Sequence, residues 1–226
     1  MATERLPHLD SRLAAVAALV RPGSTAADVG CDHGKLAAYL AASGRCPKVY
    51  ATDLRPGPLA VAQATCAACG CGQKVEFLLG DGLAPLAPGC AQDLVLAGVS
   101  AQTTIEILQA APWVKDPGVR LILAPATKHA LLRRWLACEG FALRQDIPVC
   151  AGGRWYAVMA AEYTGQAAEP DGFFCLLGRT PGQPGSAGYR QAQLAKLKKQ
   201  LRGITAPAER EAAVMLVRRL ETKGEP

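Results

Sequence analysis

The sequence predicts an α/β protein with a mostly parallel sheet, and two patterns carry this prediction. Five short apolar segments alternate with helical patterns, as expected for parallel strands covered by helices on both faces. Segments 141–149 and 154–162 then follow each other through Ala151-Gly152-Gly153, which indicates an antiparallel hairpin. We therefore expect a Rossmann-like sheet of seven strands that ends in this hairpin, with parallel strands at 25–30, 48–53, 74–79, 93–97 and 119–124.

Helices are predicted before and between these strands. Apolar residues at positions 6, 9, 13, 16, 17 and 20 recur at helical spacing and predict an N-terminal amphipathic helix that ends before Pro22. The helix expected at 56–68 has prolines near its start, where they are tolerated because the first backbone N–H groups have no partner within the helix. The helices between strands are expected at 36–42, 56–68, 102–111 and 129–138.

The composition changes after Tyr163, and we expect the chain to divide there. Residues 1–163 would form the sheet domain and 164–188 a connecting segment, of which 180–188 reads as a flexible linker. In 189–226 the aliphatic residues step by three and four, which predicts a small coiled-coil-like helical hairpin. Its first helix is basic, either as a solvated face or as a contact for nucleic-acid phosphates, with Arg190, Lys196, Lys198, Lys199 and Arg202.

Composition limits the class of protein. The chain has 226 residues, half of them hydrophobic, and a net charge of +6, which permits a polyanionic partner without requiring one. No export signal and no membrane-length apolar run is found, so we expect a cytoplasmic protein without a membrane partner. No Ser-His-Asp or Cys-His arrangement indicates a hydrolase, and nothing implies a protein partner.

The nine cysteines are expected to be reduced thiols in this setting. Cys66, Cys69 and Cys71 form a C-x-x-C-x-C cluster that resembles half of a zinc site, but no second Cys or His pair stands at the required spacing. We therefore predict no metal. The alternative, which we favour, is that these cysteines are small buried apolar residues, as expected also for Cys138.

Three acidic residues are placed where predicted strands end. Asp28 lies in the first strand, Asp53 closes the second and Asp81 follows the third. Ligands bind at the carboxyl ends of strands in such sheets, so the three would converge on one elongated ligand. Asp53 follows Asp28 by one βαβ unit and suits two ribose hydroxyls, whereas Asp81 suits an adenine amino group. Each of them, taken alone, is also a common turn or cap residue.

The loop Asp28-Val29-Gly30-Cys31-Asp32-His33-Gly34 indicates which ligand is bound. Gly30 and Gly34 let the backbone approach it closely. Dinucleotide loops cradle a pyrophosphate with backbone N–H groups, and an acidic Asp32 in the middle would repel that group. It suits a cation, such as the sulfonium or ammonium of S-adenosylmethionine. His33 is expected to contact the ligand, whereas His8 and His129 are expected to be structural.

These stretches resemble the TrmK family, the bacterial tRNA (adenine-22-N1)-methyltransferases. The resemblance covers residues 6–163 and is most specific in the Asp32-His33 pair and in Gly80-Asp81-Gly82-Leu83. It also includes Leu9-Asp10-Ser11-Arg12-Leu13, Asp53 with Gly57-Pro58-Leu59, Ala97-Gly98, and Leu132-Arg133-Arg134-Trp135-Leu136 followed by Gly140-Phe141.

The resemblance implies a Rossmann-like methyltransferase domain, S-adenosylmethionine as donor, N1 of a tRNA adenine as acceptor, and a C-terminal coiled-coil domain. By resemblance, Asp28, Gly30, Asp32 and His33 belong to the cofactor loop, Asp53 holds the ribose, and Asp81 with Gly82 flanks the adenine. We expect Cys31, Leu54, Ala97 and Gly98 to bind the cofactor beside them. The substrate residues are expected to be Val99 and Ser100 beside the target base, and Lys196 and Lys199 on the basic helix. No catalytic base is nominated, since N1 of adenine already has a lone pair.

Two segments depart from the family's pattern. Val99-Ser100-Ala101 stands where the family has Met-Gly-Gly, and Ala124-Pro125-Ala126 where it has Gln-Pro-Asn. The first change removes two glycines that would let backbone approach a flat base, and the second removes side chains able to hydrogen-bond it. Two other functions therefore stay open: a non-catalytic relative that binds tRNA or cofactor, and a methyltransferase with a small-molecule substrate.

Overall fold

The computed structural model describes residues 6–222, and its seven strands form one sheet. The strands are β1 (Ala26–Val29), β2 (Val49–Asp53), β3 (Val75–Leu79), β4 (Asp93–Ala97), β5 (Arg120–Ala124), β6 (Phe141–Ala151) and β7 (Arg154–Tyr163). The order across the sheet is β3-β2-β1-β4-β5-β7-β6, in which β1 to β5 are parallel and β7 runs antiparallel to β5 and β6. The predicted sheet with its closing hairpin is therefore confirmed.

Helices cover both faces of the sheet, as the two-sided apolar strands predict. Side chains alternate along β1, so Ala26 enters one hydrophobic cluster and Ala27 the other. The helices are α1 (Ser11–Leu19), α2 (Lys35–Ala42), α3 (Pro56–Ala68), α4 (Ala101–Gln109), α5 (His129–Cys138), α6 (Gly172–Leu177), α7 (Ser186–Leu201) and α8 (Pro207–Thr222). The cluster on one face contains residues of α1 to α3, and the cluster on the other contains residues of α4, α5 and the C-terminal helices.

The N-terminal helix is shorter than its apolar pattern predicted. Asp10 caps it, because its side chain accepts a 2.7 Å hydrogen bond from the backbone N–H of Leu13. Leu6 therefore precedes the helix and is exposed. The spacing of apolar residues does not show where a helix begins. Here the side chain of Asp10 determines the first helical residue, because it satisfies a backbone N–H of the first turn.

The segment 180–188 is packed against the hairpin, contrary to its interpretation as a flexible linker. Gly185 and Gly188 lie against the indole of Trp155. A Cβ on Gly188 would collide with the ring, and one on Gly185 would lie 3.0 Å from it. The glycines thus permit close packing rather than mobility. Helix α6 also lies within the expected connecting segment, and α7 begins at Ser186 rather than at residue 189.

The C-terminal helices pack on the sheet domain and on each other. Helix α7 contacts α8 and both strands of the β6–β7 hairpin, and α6 contacts α5, α7 and α8. A 2.7 Å ion pair between Arg219 and Asp171 joins α8 to the start of α6. Within residues 6–222, no helix is long and apolar enough to cross a bilayer.

The cysteine predictions are correct in one place and wrong in another. Cys66, Cys69 and Cys71 are buried in the cluster beneath α2 and α3, as small apolar residues would be. Cys138 is exposed at the end of α5, so its expected burial is wrong. It occupies the outward side of the helix, and a helical pattern containing alanine and cysteine does not distinguish that side well.

Candidate functional site

A cleft of about 680 Å³ opens at the carboxyl ends of the parallel strands. The loops that follow β1, β2, β3 and β4 form its walls, since the carboxyl ends of parallel strands meet at one edge of a sheet. All eleven residues expected at the cofactor line it, and so does Val99. The sequence-based interpretation therefore named residues that the fold brings together from four separate loops.

The loop after β1 is held in a tight conformation. The backbone N–H groups of Gly30 and Cys31 both donate to the carbonyl of Thr52, at 2.8 and 2.9 Å. Gly34 has a φ of +67°, and a Cβ there would lie 2.6 Å from the Cβ of Ala62 in α3. Glycine is thus required at position 34 both by the backbone angle and by the close approach of α3.

Asp53 joins the first two loops of the cleft. Its carboxylate accepts hydrogen bonds from the backbone N–H of Asp32 at 3.2 Å and of Arg55 at 3.0 Å. The residue is only 7% exposed, yet it lines the cleft. Each carboxylate oxygen accepts more than one hydrogen bond, so the fixed group can still bind ligand hydroxyls.

Asp28 is the most perturbed carboxyl group of the cleft. Burial raises its pKa to about 7, and the negative charge of Asp53 adds to this, although the backbone N–H of Ala37 and the charge of Arg12 lower it. Its Oδ2 is buried and has no hydrogen-bond partner among residues 6–222. A buried polar atom without a partner costs free energy. A cationic ligand group would supply the missing partner and favour the ionised carboxylate.

Asp32 and His33 form a pair at the mouth of the cleft. The Nδ1 of His33 lies 2.7 Å from Oδ2 of Asp32, and both side chains are more than half exposed. Asp32 has a φ of +49°, which a non-glycine residue rarely adopts. This conformation directs its N–H toward Asp53 and leaves its carboxylate at the rim, where a cation can approach.

Asp81 and Gly82 form the wall that belongs to β3. The hydroxyl of Thr52 donates to the carbonyl of Gly82 at 3.2 Å. A Cβ on Gly82 would lie 2.9 Å from the side chain of Ile107, so α4 packs directly on this turn. A second cavity of about 490 Å³ continues from here between the turn and α4, as far as Trp113.

The residues expected to bind substrate are separated in the structure. Val99 lines the cleft, whereas Ser100 is absent from the lining. The Ser100 side chain instead caps α4, where it accepts a 3.1 Å hydrogen bond from the N–H of Thr103. The N–H of Ala126 donates to the carbonyl of Val99 at 2.8 Å, which ties the two altered loops together.

Lys196 and Lys199 lie on α7, outside the cleft lining, and both are exposed. Lys196 is close enough to α5 that its charge contributes to the lowered pKa of His129. The basic helix therefore approaches the carboxyl edge of the sheet, beside the loop that follows β5. The neighbouring Lys198 forms a 2.7 Å ion pair with Glu221 of α8.

Arg12 is a cleft residue that the site prediction left out. It reaches the cleft from α1, and its guanidinium lies over the ring of Tyr156 at 5.5 Å from the centroid. A Cβ on Gly98 would be 3.4 Å from its Nη1, so the side chain lies above the loop after β4. Arg12 lies within Leu9–Leu13, a segment that resembles the family, and this resemblance could have indicated a place in the site. The helical periodicity of α1 does not predict that the side chain reaches the cleft.

The thiols near the cleft are buried and held protonated. Burial raises the pKa of Cys66 to about 12 and raises the pKa of Cys31 above its usual range. Such thiols are poor nucleophiles and poor metal ligands. Across residues 6–222, no group of three or more His, Cys, Asp or Glu residues is arranged to hold a metal ion.

Comparison with known proteins identifies a family. A family model described as a methyltransferase domain matches residues 9–159. The tRNA (adenine(22)-N(1))-methyltransferase of Bacillus subtilis (strain 168) is 29% identical over 174 residues, which are 77% of this chain and 73% of that protein. This relative confirms the resemblance to the TrmK family that the sequence motifs predicted.

Solved structures share the whole architecture. A candidate tRNA (m1A22) methyltransferase from Streptococcus pneumoniae, in complex with S-adenosyl-L-methionine, is 24% identical with a TM-score of 0.81, over 95% of this chain and 98% of that one. TrmK of M. capricolum, in complex with S-adenosyl-homocysteine, is 19% identical with a TM-score of 0.78, over 94% of this chain and 96% of that one. The match over residues 9–159 establishes that the chain belongs to the methyltransferase domain family.

Proposed function

We propose that this protein is an S-adenosylmethionine-dependent methyltransferase that methylates N1 of an adenine in tRNA. The observation that carries the proposal is the acidic cleft, in which Asp28, Asp53 and Asp81 come from the ends of three adjacent parallel strands. The Bacillus subtilis relative is named for this reaction at adenine 22. A cytoplasmic location follows from the proposed substrate.

The residues of the cleft fit the proposed cofactor. Asp53 is a fixed acceptor for two ribose hydroxyls, and Asp81 lies on the β3 wall, where an adenine amino group would be bound. Leu54 is 65% exposed at the rim and offers an apolar surface to a purine. The partnerless Oδ2 of Asp28 and the carboxylate of Asp32 favour a cationic end. The cofactor would supply an activated methyl group.

Positioning is the main task that the protein performs in this reaction. The methyl group moves in line from sulfur to N1, so the S–C bond breaks as the N–C bond forms, and positive charge passes to the adenine. N1 attacks with a lone pair that is already free, so no general base is needed. The residues of the cleft would hold donor and acceptor in line, and this alignment lowers the activation free energy of the transfer. The adenine would have to leave its stack to reach the cleft.

The altered loops keep a second candidate open. Ser100 is engaged as a helix cap, and Ala126 is hydrogen-bonded through its backbone to Val99, so these loops offer few polar side chains to a base. This observation favours a non-catalytic relative that binds cofactor or tRNA. The two candidates differ in whether a methyl group is transferred.

A methyl-transfer assay separates these candidates. The full chain is incubated with methyl-labelled S-adenosylmethionine and an unmodified tRNA transcript, and with a matched transcript in which guanine replaces adenine 22. Label in the first transcript alone supports the proposal. Binding of tRNA without label would favour the non-catalytic relative, and cofactor binding without tRNA binding at low salt would favour a small-molecule substrate.

A further inference from the structure

The loop after β5 is held through its backbone, because Ala124-Pro125-Ala126 carries no polar side chain. The N–H of Ala126 donates to the carbonyl of Val99 at 2.8 Å, and the N–H of Ala101 donates to the carbonyl of Thr127 at 3.3 Å. These bonds join the loop after β5 to the loop after β4, whose Val99 lines the cleft. A shift of one loop is therefore transmitted to the other.

His129 connects the loop after β5 to α7. Its Nε2 donates to the carbonyl of Pro125 at 3.2 Å, and its Nδ1 accepts from the hydroxyl of Tyr189 at 3.0 Å. The planes of the two rings are within 15° of each other. Burial lowers the pKa of His129 to about 4, so the neutral ring can donate through one nitrogen and accept through the other.

Tyr189 is itself fixed on the sheet domain. Its side chain is fully buried, and the guanidinium of Arg133 lies 5.5 Å from the centroid of its ring. That guanidinium donates two hydrogen bonds to the carboxylate of Asp146 in β6, at 2.8 and 3.0 Å. Because closely packed side chains have few alternative arrangements, these contacts hold α7 at one position relative to the loop after β5.

The same helix carries the lysines that are expected to contact RNA. Lys196 and Lys199 are exposed, and Lys196 lies about two helical turns after Tyr189. We propose that His129 is a positioning residue for methyl transfer, which fixes the loops beside the target base relative to the helix that contacts the RNA. The inference rests on the proposed function, since it requires that a tRNA contacts α7 while one of its adenines enters the cleft.

The connection would act on the rate of transfer through alignment. An adenine that leaves its stack must present N1 in line with the methyl group of the donor, and a displacement of about 1 Å can lower the rate about 100-fold. The lysines would hold phosphates, whereas the loops after β4 and β5 would border the base. His129 keeps the distance between these two contacts constant. It touches neither contact, so the affinities for tRNA and donor should not depend on it.

Single-turnover methyl transfer tests the proposal. The full chain is used in saturating excess over an unmodified tRNA transcript, with saturating methyl-labelled S-adenosylmethionine. We expect His129→Ala to lower the rate constant about 10- to 100-fold and Tyr189→Phe about 5- to 10-fold. The dissociation constants for tRNA, from filter binding, and for the donor, from calorimetry, should stay within about threefold of wild type. Because folded protein is in saturating excess, an unfolded fraction does not lower the rate constant.

Two further variants serve as controls. His129→Gln supplies an amide that can donate to the carbonyl of Pro125 and accept from Tyr189, so it should recover part of the rate constant lost in His129→Ala. Ile122→Val removes a buried methylene from β5 on the opposite face of the sheet. It should lower stability and keep the wild-type rate constant. Thermal unfolding of each variant checks that it is folded at the assay temperature.

Every other result overturns the inference. Unchanged rate constants would show that the two loops keep their place without His129. A loss confined to tRNA affinity would show that His129 only supports α7, and an equal loss in Ile122→Val would show a general effect of instability. In each of these cases the wild type still methylates tRNA, so the proposed function stands. Absence of transfer by the wild type would overturn both.

Discussion

The imidazole of His129 stacks on the ring of Tyr189, with 5.9 Å between the centroids, and its Nδ1 lies 3.0 Å from the Tyr189 hydroxyl. Nε2 lies 3.2 Å from the carbonyl of Pro125, and because a carbonyl only accepts, Nε2 carries the proton. Nδ1 therefore accepts from Tyr189. Both residues are buried, so this contact joins α7 to the start of α5 at the carboxyl edge of the sheet.

Removing the Tyr189 hydroxyl should loosen this connection. Tyr189→Phe leaves the buried Nδ1 of His129 without its donor. We expect the free energy of unfolding in urea to fall by about 1–3 kcal/mol. Tyr39→Phe, a change of the same atoms on α2, serves as the control, and equal stabilities of the two variants would contradict the prediction.

His129 should make stability depend on pH. Burial lowers its pKa to about 4, with the charges of Arg133 and Lys196 contributing. The unfolded chain then binds more protons than the folded one between pH 6.5 and 4, so the stabilising contribution is complete above pH 6.5 and is lost as the pH falls toward 4. Urea unfolding of wild type and His129→Gln across this range measures it, and parallel pH profiles would exclude the assignment.

Cofactor binding should release protons below neutral pH. The pKa of Asp28 is raised to about 7, chiefly by burial, so the group is largely protonated at pH 6 in the free protein. An ammonium partner favours the ionised form, and affinity for S-adenosylmethionine should therefore rise from pH 5.5 to about 7 and then level off. Calorimetry in buffers of different ionisation enthalpy counts the protons. Asp28→Asn should abolish the release, and its persistence would assign it to another group.

Asp53→Ala should weaken cofactor binding by about 1–3 kcal/mol, the range for a lost charged hydrogen bond. The carboxylate also holds the backbone of Asp32, so the variant would loosen the loop after β1 as well. Glu76→Ala removes an exposed acid on β3 and serves as the control. Calorimetric affinities that are equal for wild type and Asp53→Ala would show that the ribose assignment is wrong.

The basic helix offers a test of tRNA contact. Replacing both Lys196 and Lys199 with Gln should weaken tRNA binding and reduce the slope of log K against log salt by about 2, one for each lost phosphate contact. Lys198→Gln is the matched control, because Lys198 is paired with Glu221 of α8. Filter binding from low to moderate salt measures the slopes. An unchanged slope in the double variant would place the RNA elsewhere.

The sequence located the regular elements well where local patterns determine them. The predicted bounds of β4 and α5 match the structure, since each is a clear apolar pattern between turn residues. The convergence of the expected cofactor residues on one cleft was also predictable, because the end of each parallel strand fixes where the following loop lies. Periodicity could not reveal that Arg12 reaches the cleft, since that depends on how α1 packs against β7.

The remaining differences come from tertiary contacts and capping. Gly185 and Gly188 suggested a linker, but a glycine that fits an indole and a glycine in a mobile chain are identical in sequence. Ser100 was expected beside the substrate, and its side chain was used locally to begin α4. The glycines are determined by contact with Trp155, which is distant in sequence, and Ser100 is determined by its hydrogen bond to Thr103 at the start of α4.

The packing of α7 over Trp155 and His129 has a consequence for the synthesis of the protein. The seven strands leave the ribosome first, and both aromatic side chains then lie without the cover that Gly188 and Tyr189 later provide. A nascent or truncated chain would therefore display an apolar surface that chaperones and proteases recognise. The surface is covered once α7 folds onto the hairpin and the start of α5, so docking of this helix protects the sheet domain from such recognition.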